Sequence, residues 1–359
     1  MKKHKICKIL LVILAIFLCV AFYELLGICV AYKKQPEVSN TTKKETKNGP
    51  WNECSENTER AVIIEKNPEA LLQRVRLIKN AKKEIILSTF AFQSDESGKL
   101  ILGALHDAAD RGVHIRLLVD GMESWIDMEG NPYFYGLSSH ENVEIKLYNK
   151  ANPLKPWKIM GRMHDKYLIA DGKRYILGGR NTYNYFLGDF PGHKNYDRDV
   201  LVVCDEPEKE NSVNQLLEYF ETIWEQEDSG YFHDNKKLAN RKSVKNAVLE
   251  LQNGYQKYFE ENKERICDTD YTDETFETEK IALVSNPIHT GPKEPVVWYQ
   301  LGELMKNAKE RVKIHTPYII CNDMMSNTWK EIAERVPDFS IMTNSVANNG
   351  NPFGAADYA

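Results

Sequence analysis

The sequence predicts an α/β protein, with helices alternating with strands around a central sheet, preceded by a helix long enough to cross a bilayer. Three observations predict it. From Glu59 onward, apolar residues recur with helical and strand periods in turn. Two stretches 227 residues apart repeat one order of elements. The first 32 residues are unlike the rest in composition.

Lys2, Lys3, Lys5 and Lys8 precede an uncharged run from Ile9 to Tyr23, and apolar character resumes after Glu24 as far as Tyr32. At about 1.5 Å per residue, Ile9 to Ala31 reaches about 34 Å as a helix, enough to cross a membrane. That length favours an uncleaved signal-anchor over residues 1–32, rather than a cleaved signal peptide ending near Cys29-Val30-Ala31. The basic start predicts a cell-membrane protein with its body outside the cytoplasm, although Lys33 and Lys34 on the other flank oppose that orientation. Residues 33–58, rich in Lys, Thr, Asn and Glu, read as a polar tether.

The remainder is globular in composition, with 42% hydrophobic and 28% charged residues. A net charge of -5 lacks the basic face that bulk nucleic-acid binding needs, so no nucleic-acid partner is expected. Cys54, Cys204, Cys267 and Cys321 lie far apart without metal-type spacing, so no metal is expected. Two disulfides and four free thiols are both open readings.

Pro68 opens a helix with apolar positions at Leu71, Leu72, Val75 and Ile78. Glu84–Phe92 is β-rich, Gly98–Arg111 is helical and ends at Gly112, and Val113–Asp120 is a strand closing on an apolar run. Val143–Tyr148 alternates as a further strand. Helices between strands imply βαβ units and a sheet packed on both faces. Lys79-Asn80-Ala81-Lys82-Lys83-Glu84-Ile85 is answered by Lys306-Asn307-Ala308-Lys309-Glu310-Arg311-Val312, each with a helix before it and a strand after it. In the second copy the strands are Lys313–Ile320 and Phe339–Thr343. The expected division is a first domain at 59–210, a helical connector at 211–278, and a second, incomplete domain at 279–359.

The chemistry gathers in Met163–Asn181. Lys166–Ala170 reads as a strand, Asp171-Gly172 as a two-residue hairpin turn, and Lys173–Gly179 as the returning strand. His164 and Lys166 project from one face. With that turn, His164 falls opposite Gly179, with Asn181 at the same end of the hairpin. The glycines leave room for a bulky anion beside the imidazole. Imidazole, ammonium and amide on one spot make a phosphate site containing a nucleophile. Asp171 stands roughly 23 Å from His164 along an extended chain, so it holds the turn and does not orient the imidazole. The orienting carboxylate must come from elsewhere. Asp197 is the first candidate and Asp199 the second, on a strand that runs from Tyr196 to Val203.

His164, Lys166, Asp171, Gly178, Gly179 and Asn181 match His-x-Lys-x4-Asp-x6-Gly-Gly-x-Asn, and in this the chain resembles the phospholipase D superfamily. Arg162-Met163, Asp197-x-Asp199-Val200, Thr316-Pro317-Tyr318 and Thr343-Asn344-Ser345 are most similar to its bacterial cardiolipin synthase branch. The resemblance implies a phospholipase D-like βαβ sandwich with a central mixed sheet, one repeat complete and the second incomplete. It implies a phosphatidyltransferase of cardiolipin synthase type, acting through a phosphohistidine on His164 without metal or cofactor, on a phospholipid such as phosphatidylglycerol. His164, Lys166 and Asp171 form the implied catalytic set, and Lys166, Gly179 and Asn181 the phosphate-binding set. Hydrolysis, or phosphodiester cleavage of another substrate, is the alternative outcome.

The family pattern needs a second such motif facing the first, and none of the other His residues begins one. The repeat offset puts the counterpart of His164 beyond Ala359, and Asn348–Ala359 suggests no closing helix or strand. The expectation is therefore a truncated chain, inactive alone. Pairing of two copies is disfavoured, because the chain already holds the opening of its own second half.

Overall fold

The computed structural model describes residues 2–31, 33, 35–47, 49, 59–204, 206, 211–233, 235–319 and 321–345. Cys54, most of the tether's second half and the stretch from Asn348 to Ala359 lie outside the described residues.

Helix α1 (Lys2–Ala31) is the apolar segment, and its span Ile6–Ala31 is long and apolar enough to cross a membrane. Within the expected tether, Asn40–Lys47 is a helix, α2, with Thr42 and Thr46 buried. The Thr42 hydroxyl donates to Glu294 Oε1 at 2.6 Å. Its two threonines fall on one face four residues apart, a helical period concealed by an otherwise polar composition.

The first unit is built on β1 (Glu59–Ile64), α3 (Asn67–Asn80), β2 (Glu84–Thr89), α4 (Glu96–Asp110) and β3 (His114–Asp120). It continues with α5 (Gly121–Asp127), α6 (Pro132–Ser138), β4 (Val143–Tyr148), β5 (Lys166–Ala170), β6 (Arg174–Gly178) and β7 (Asp199–Cys204). Helix α7 (Ser212–Trp224), β8 (Ser229–Tyr231), α8 (Lys242–Glu261), α9 (Lys263–Cys267) and β9 (Phe276–Glu277) complete it. Among the described residues the strands form one nine-stranded sheet in the order β8-β4-β3-β2-β5-β6-β7-β1-β9. Strands β2, β3 and β4 are parallel, while β5, β6 and β7 run antiparallel to their neighbours, so the sheet is mixed.

Strand alternation divides the core between the two faces. Ile85, Leu87, Ile115, Leu117 and Leu168 pack with α3, α4, α6 and α8, whereas Ile86, Leu118, Tyr167 and Ile169 pack under α7. Local signals fix the helix ends. Asp95 caps α4 by accepting from Gly98 N–H at 3.0 Å, and Gly112 leaves it with φ 87°. The stretch expected as a connector is instead part of the first unit: α7 covers one face, α8 lies on α4, and β8 and β9 join the sheet. Its acidic surface concealed apolar positions at helical spacing, among them Val244, Ala247, Leu251 and Tyr255.

The second unit holds α10 (Val296–Lys306), β10 (Arg311–His315), α11 (Asp323–Arg335) and β11 (Asp338–Met342). Strands β10 and β11 pair in parallel, as β2 and β3 do, so the order helix, strand, helix, strand recurs in both copies. β10 starts two residues earlier than expected and stops at His315. The following Thr316-Pro317 cannot continue a ladder, since proline has no N–H to donate.

The hairpin differs from expectation by one residue. Asp171 and Gly172 both have positive φ, 55° and 63°, and Lys173 N–H donates to Ala170 O at 3.0 Å, as the two-residue turn requires. The ladder nevertheless pairs Ala170 with Arg174, leaving Lys173 as an extra residue whose carbonyl accepts from Cys204 N–H of β7. The extra pairing partner shifts the register.

Asp171 accepts from the backbone N–H groups of Lys82 (2.9 Å), Lys83 (2.7 Å) and Glu84 (3.0 Å), fastening the hairpin tip to the start of β2. Asp171→Ala removes these bonds and puts alanine in a left-handed conformation, so it should cost about 1–3 kcal/mol. Asp171→Asn keeps an acceptor and tolerates that φ, so its thermal midpoint should fall less. Equal losses in the two variants would count against this role.

Candidate active site

Strand β5 lies between β2 and β6 in the middle of the sheet, and His164 is two residues before it on an extended lead-in. Lys166 pairs with Thr89 and is buried. Its ammonium donates to the His164 carbonyl at 2.6 Å and lies over the Phe90 ring at 5.2 Å. The His164 ring meets Phe90 edge-on at 4.6 Å, and the residue keeps an exposed face. Arg162 lies over the same Phe90 ring at 5.2 Å.

These neighbours set the protonation states. Desolvation, then the positive charges of Lys166 and Arg162, push His164 down to about 4, against the opposing pull of Asp120. Desolvation likewise pushes Lys166 down to about 8, with Asp165, Asp197 and Asp120 pulling the other way. At neutral pH the imidazole is therefore uncharged, with a lone pair available for attack, and most of the lysine is still cationic.

Asn181 is buried, and its Oδ1 accepts from Ala91 N–H at 3.2 Å. Thr182 N–H donates to Ala91 O, so residues 181–182 are stitched to the chain just beyond Phe90. The amide nitrogen is the end of Asn181 with donors for an anion.

The glycines do a different job from the one expected. A Cβ on Gly178 would meet Asp199 Oδ1 at 2.0 Å, and one on Gly179 would meet Asp197 Oδ2 at 2.1 Å. The missing side chains make room for two carboxylates of this chain, because Gly178 pairs directly with Asp199 across β6 and β7. Asp199 is buried between Arg74 Nη1 at 2.9 Å and Arg180 Nη1 at 3.2 Å, an ion triad that occupies it away from the imidazole. Asp197 is half-buried, accepts from Arg198 N–H, and exerts its charge on Lys166. Asp171 is at the far end of β5, and the structure does not bring it to His164.

Sequence reasoning missed Asp120. It is buried at the end of β3, accepts from Met163 N–H at 3.1 Å and Arg162 Nε at 2.9 Å, and caps α5 through Met122 N–H. It thus positions both residues preceding His164. An aspartate closing an apolar strand and followed by glycine was the available signal.

The central mixed sheet, with an imidazole, a buried ammonium and an amide at the start of its middle hairpin, defines the class. A family model described as "Cardiolipin synthase, PLD-like domain" matches residues 75–224, so this part of the chain holds a PLD-like domain. Among its relatives, an uncharacterized protein of Helicobacter pylori (strain ATCC 700392 / 26695) is 28% identical over 316 residues, covering 80% of this chain and 60% of that protein. Cardiolipin synthase C of Escherichia coli (strain K12) is 29% identical over 171 residues, covering 44% of this chain and 34% of that enzyme. The chain thus spans about 60% or less of these relatives' length. A crystal structure of phosphatidylserine synthase from Haemophilus influenzae Rd KW20 shares the fold, with a TM-score of 0.56 and 15% identity, covering 86% of this chain and 67% of that one.

Proposed function

We propose that the chain moves a phosphatidyl group between alcohols of membrane lipids through a covalent phosphohistidine on His164. The observation that supports this reading is an imidazole kept neutral beside a buried, still largely cationic lysine. An imidazole nitrogen forms a bond to phosphorus as the donor's P–O bond breaks, and the departing oxygen takes a proton from solvent water. Lys166 and the Asn181 amide hold the phosphoryl oxygens, whose charge grows in the transition state. The acceptor hydroxyl then attacks phosphorus, loses its proton, and breaks the P–N bond. Glycerol at the end of phosphatidylglycerol gives cardiolipin, and water gives phosphatidic acid. The resemblance calls for a second histidine as acid and base, and the sequence holds one motif. We therefore read the chain as able to form the intermediate and slow to turn it over until a second motif is supplied. Phospholipid-acting relatives and the apolar α1 support a membrane location, and the basic N-terminus supports a body outside the cytoplasm.

The test is the half-reaction. Full-length chain in vesicles is given phosphatidylglycerol labelled at phosphorus, then DNA. Acid-labile label on the wild type and none on His164→Ala supports the reading. Absence of label from every lipid donor, or cleavage of DNA alone, overturns it. Labelling should rise as pH increases through about 4, where His164 loses its proton, and fall above about 8, where Lys166 loses its charge. A flat profile from pH 3 to 10 would contradict these assignments.

A further inference from the structure

We propose that the approach to His164 is a membrane-docking rim, formed by Leu154–Met160 and the outer face of α5, seated among the lipid headgroups of the bilayer that α1 crosses. The inference rests on reading α1 as a membrane span, and it deepens the proposed function by naming the surface from which substrate arrives.

Large apolar side chains stand out from both segments. Leu154 is 76% exposed, Met160 58%, Trp125 68% and Ile126 72%, and Trp157 and Met122 are also exposed. Water-facing tryptophan, leucine, isoleucine and methionine so close together are costly unless something apolar covers them. Both segments flank the site. A Cβ on Gly121, the first residue of α5, would lie 2.7 Å from Lys150 N, so α5 packs on the start of the 150–161 loop. Arg162 closes that loop two residues before His164, and its Nη1 reaches Met122 Sδ of α5 at 3.1 Å.

The loop is built to hold its shape. Asn149, with φ 50°, donates through Nδ2 to the carbonyls of Lys158 and Gly161, and Lys158 pairs with Asp228 at 2.7 Å.

What covers the rim follows from its contact with α1. Tyr23 OH donates to Leu154 O at 3.1 Å, and a Cβ on Gly27 would meet Pro156 Cγ at 2.6 Å, so the two backbones lie close together. Tyr23 is eight residues before Ala31, about 12 Å along the helix axis. Leu154 is therefore level with the last apolar turns of α1 and not beyond them, at the depth where tyrosine and tryptophan favour the interface. The charge fits as well. Asn149 to His164 contains Lys150, Lys155, Lys158 and Arg162 and no carboxylate, which suits anionic phospholipid.

The test uses the full chain in vesicles of phosphatidylcholine and phosphatidylglycerol carrying bromine on the acyl chains, which quenches nearby tryptophan. Trp224 is buried, and Trp298 and Trp329 stack on each other, so Trp125 and Trp157 are the expected reporters in the described residues. Wild type and His164→Ala should be quenched alike, making the result independent of catalysis, and W125F/W157F should lose most of the quench. L154D/M160D should shift the remaining rim emission to the red. An unchanged quench in W125F/W157F overturns the proposal, as does a rim shielded by a second copy and unquenched. An alkaline carbonate wash separates the two readings. Extraction with the quench retained before washing keeps the rim and removes the anchor, and extraction without any quench removes both.

Discussion

Replacing His164 by alanine should lower formation of the phosphorylated enzyme at least about a thousandfold, because the proposed reaction forms its covalent bond at this imidazole. Stability should barely change. The His164 side chain keeps an exposed face and packs against the edge of Phe90, so alanine leaves no buried group without a partner. That separation makes the variant informative: lost labelling with an unchanged thermal midpoint assigns the effect to chemistry. Lys166→Met should lose activity too, but less cleanly. Its ammonium also braces the His164 carbonyl, so backbone order and electrostatics would change together. Labelling of His164→Ala at the wild-type rate would remove the basis of the proposed function.

The largest stability effect should come from Asp199→Asn. The carboxylate is buried between two guanidinium groups, and Arg180 is itself buried, held by Asn67 Oδ1 and the carbonyls of Ile64 and Glu65. Without the negative charge, two cations face each other in a poor solvent for charge, at a cost of about 3–5 kcal/mol. For a domain of this size each kcal/mol lowers the midpoint by roughly 2–4 °C, so a fall on the order of 10 °C is expected. Replacing Asp197 in the same way should change stability little, since it is half-buried and bonded to its own neighbour's N–H. Thermal melts of the two variants in one detergent would check the contrast. Equal midpoints would mean that the triad does not hold β7 to α3.

Much of the fold could be read in the sequence because its signals are local. Alternation in Glu84–Thr89 and His114–Asp120, the Asp171-Gly172 turn and the Gly112 helix stop each act over a few residues. The His164-x-Lys166 spacing is local too, since the two residues lie two apart at the start of β5. The unread features depend on distant partners. Lys173 became an extra residue because Cys204, 31 positions away, bonds its carbonyl. Asp197 and Asp199 look alike in sequence, and only Arg74 and Arg180 tell them apart. Asp120 lies 44 residues before His164, so nothing local marked it. The helices after residue 211 were read from an acidic surface, whereas a narrow apolar stripe decided where they pack.

Strands β8 and β9 are three and two residues long and lie outermost in the sheet. Each offers a neighbouring chain only a few free N–H and C=O groups, too short a template for β-augmentation. Tyr231 and Lys150 already engage at one margin, and Arg60 and Glu277 form an ion pair at the other. A partner that approached these two short strands would gain more from side-chain contacts than from backbone pairing, and such contacts can be weakened by single substitutions without unravelling the sheet.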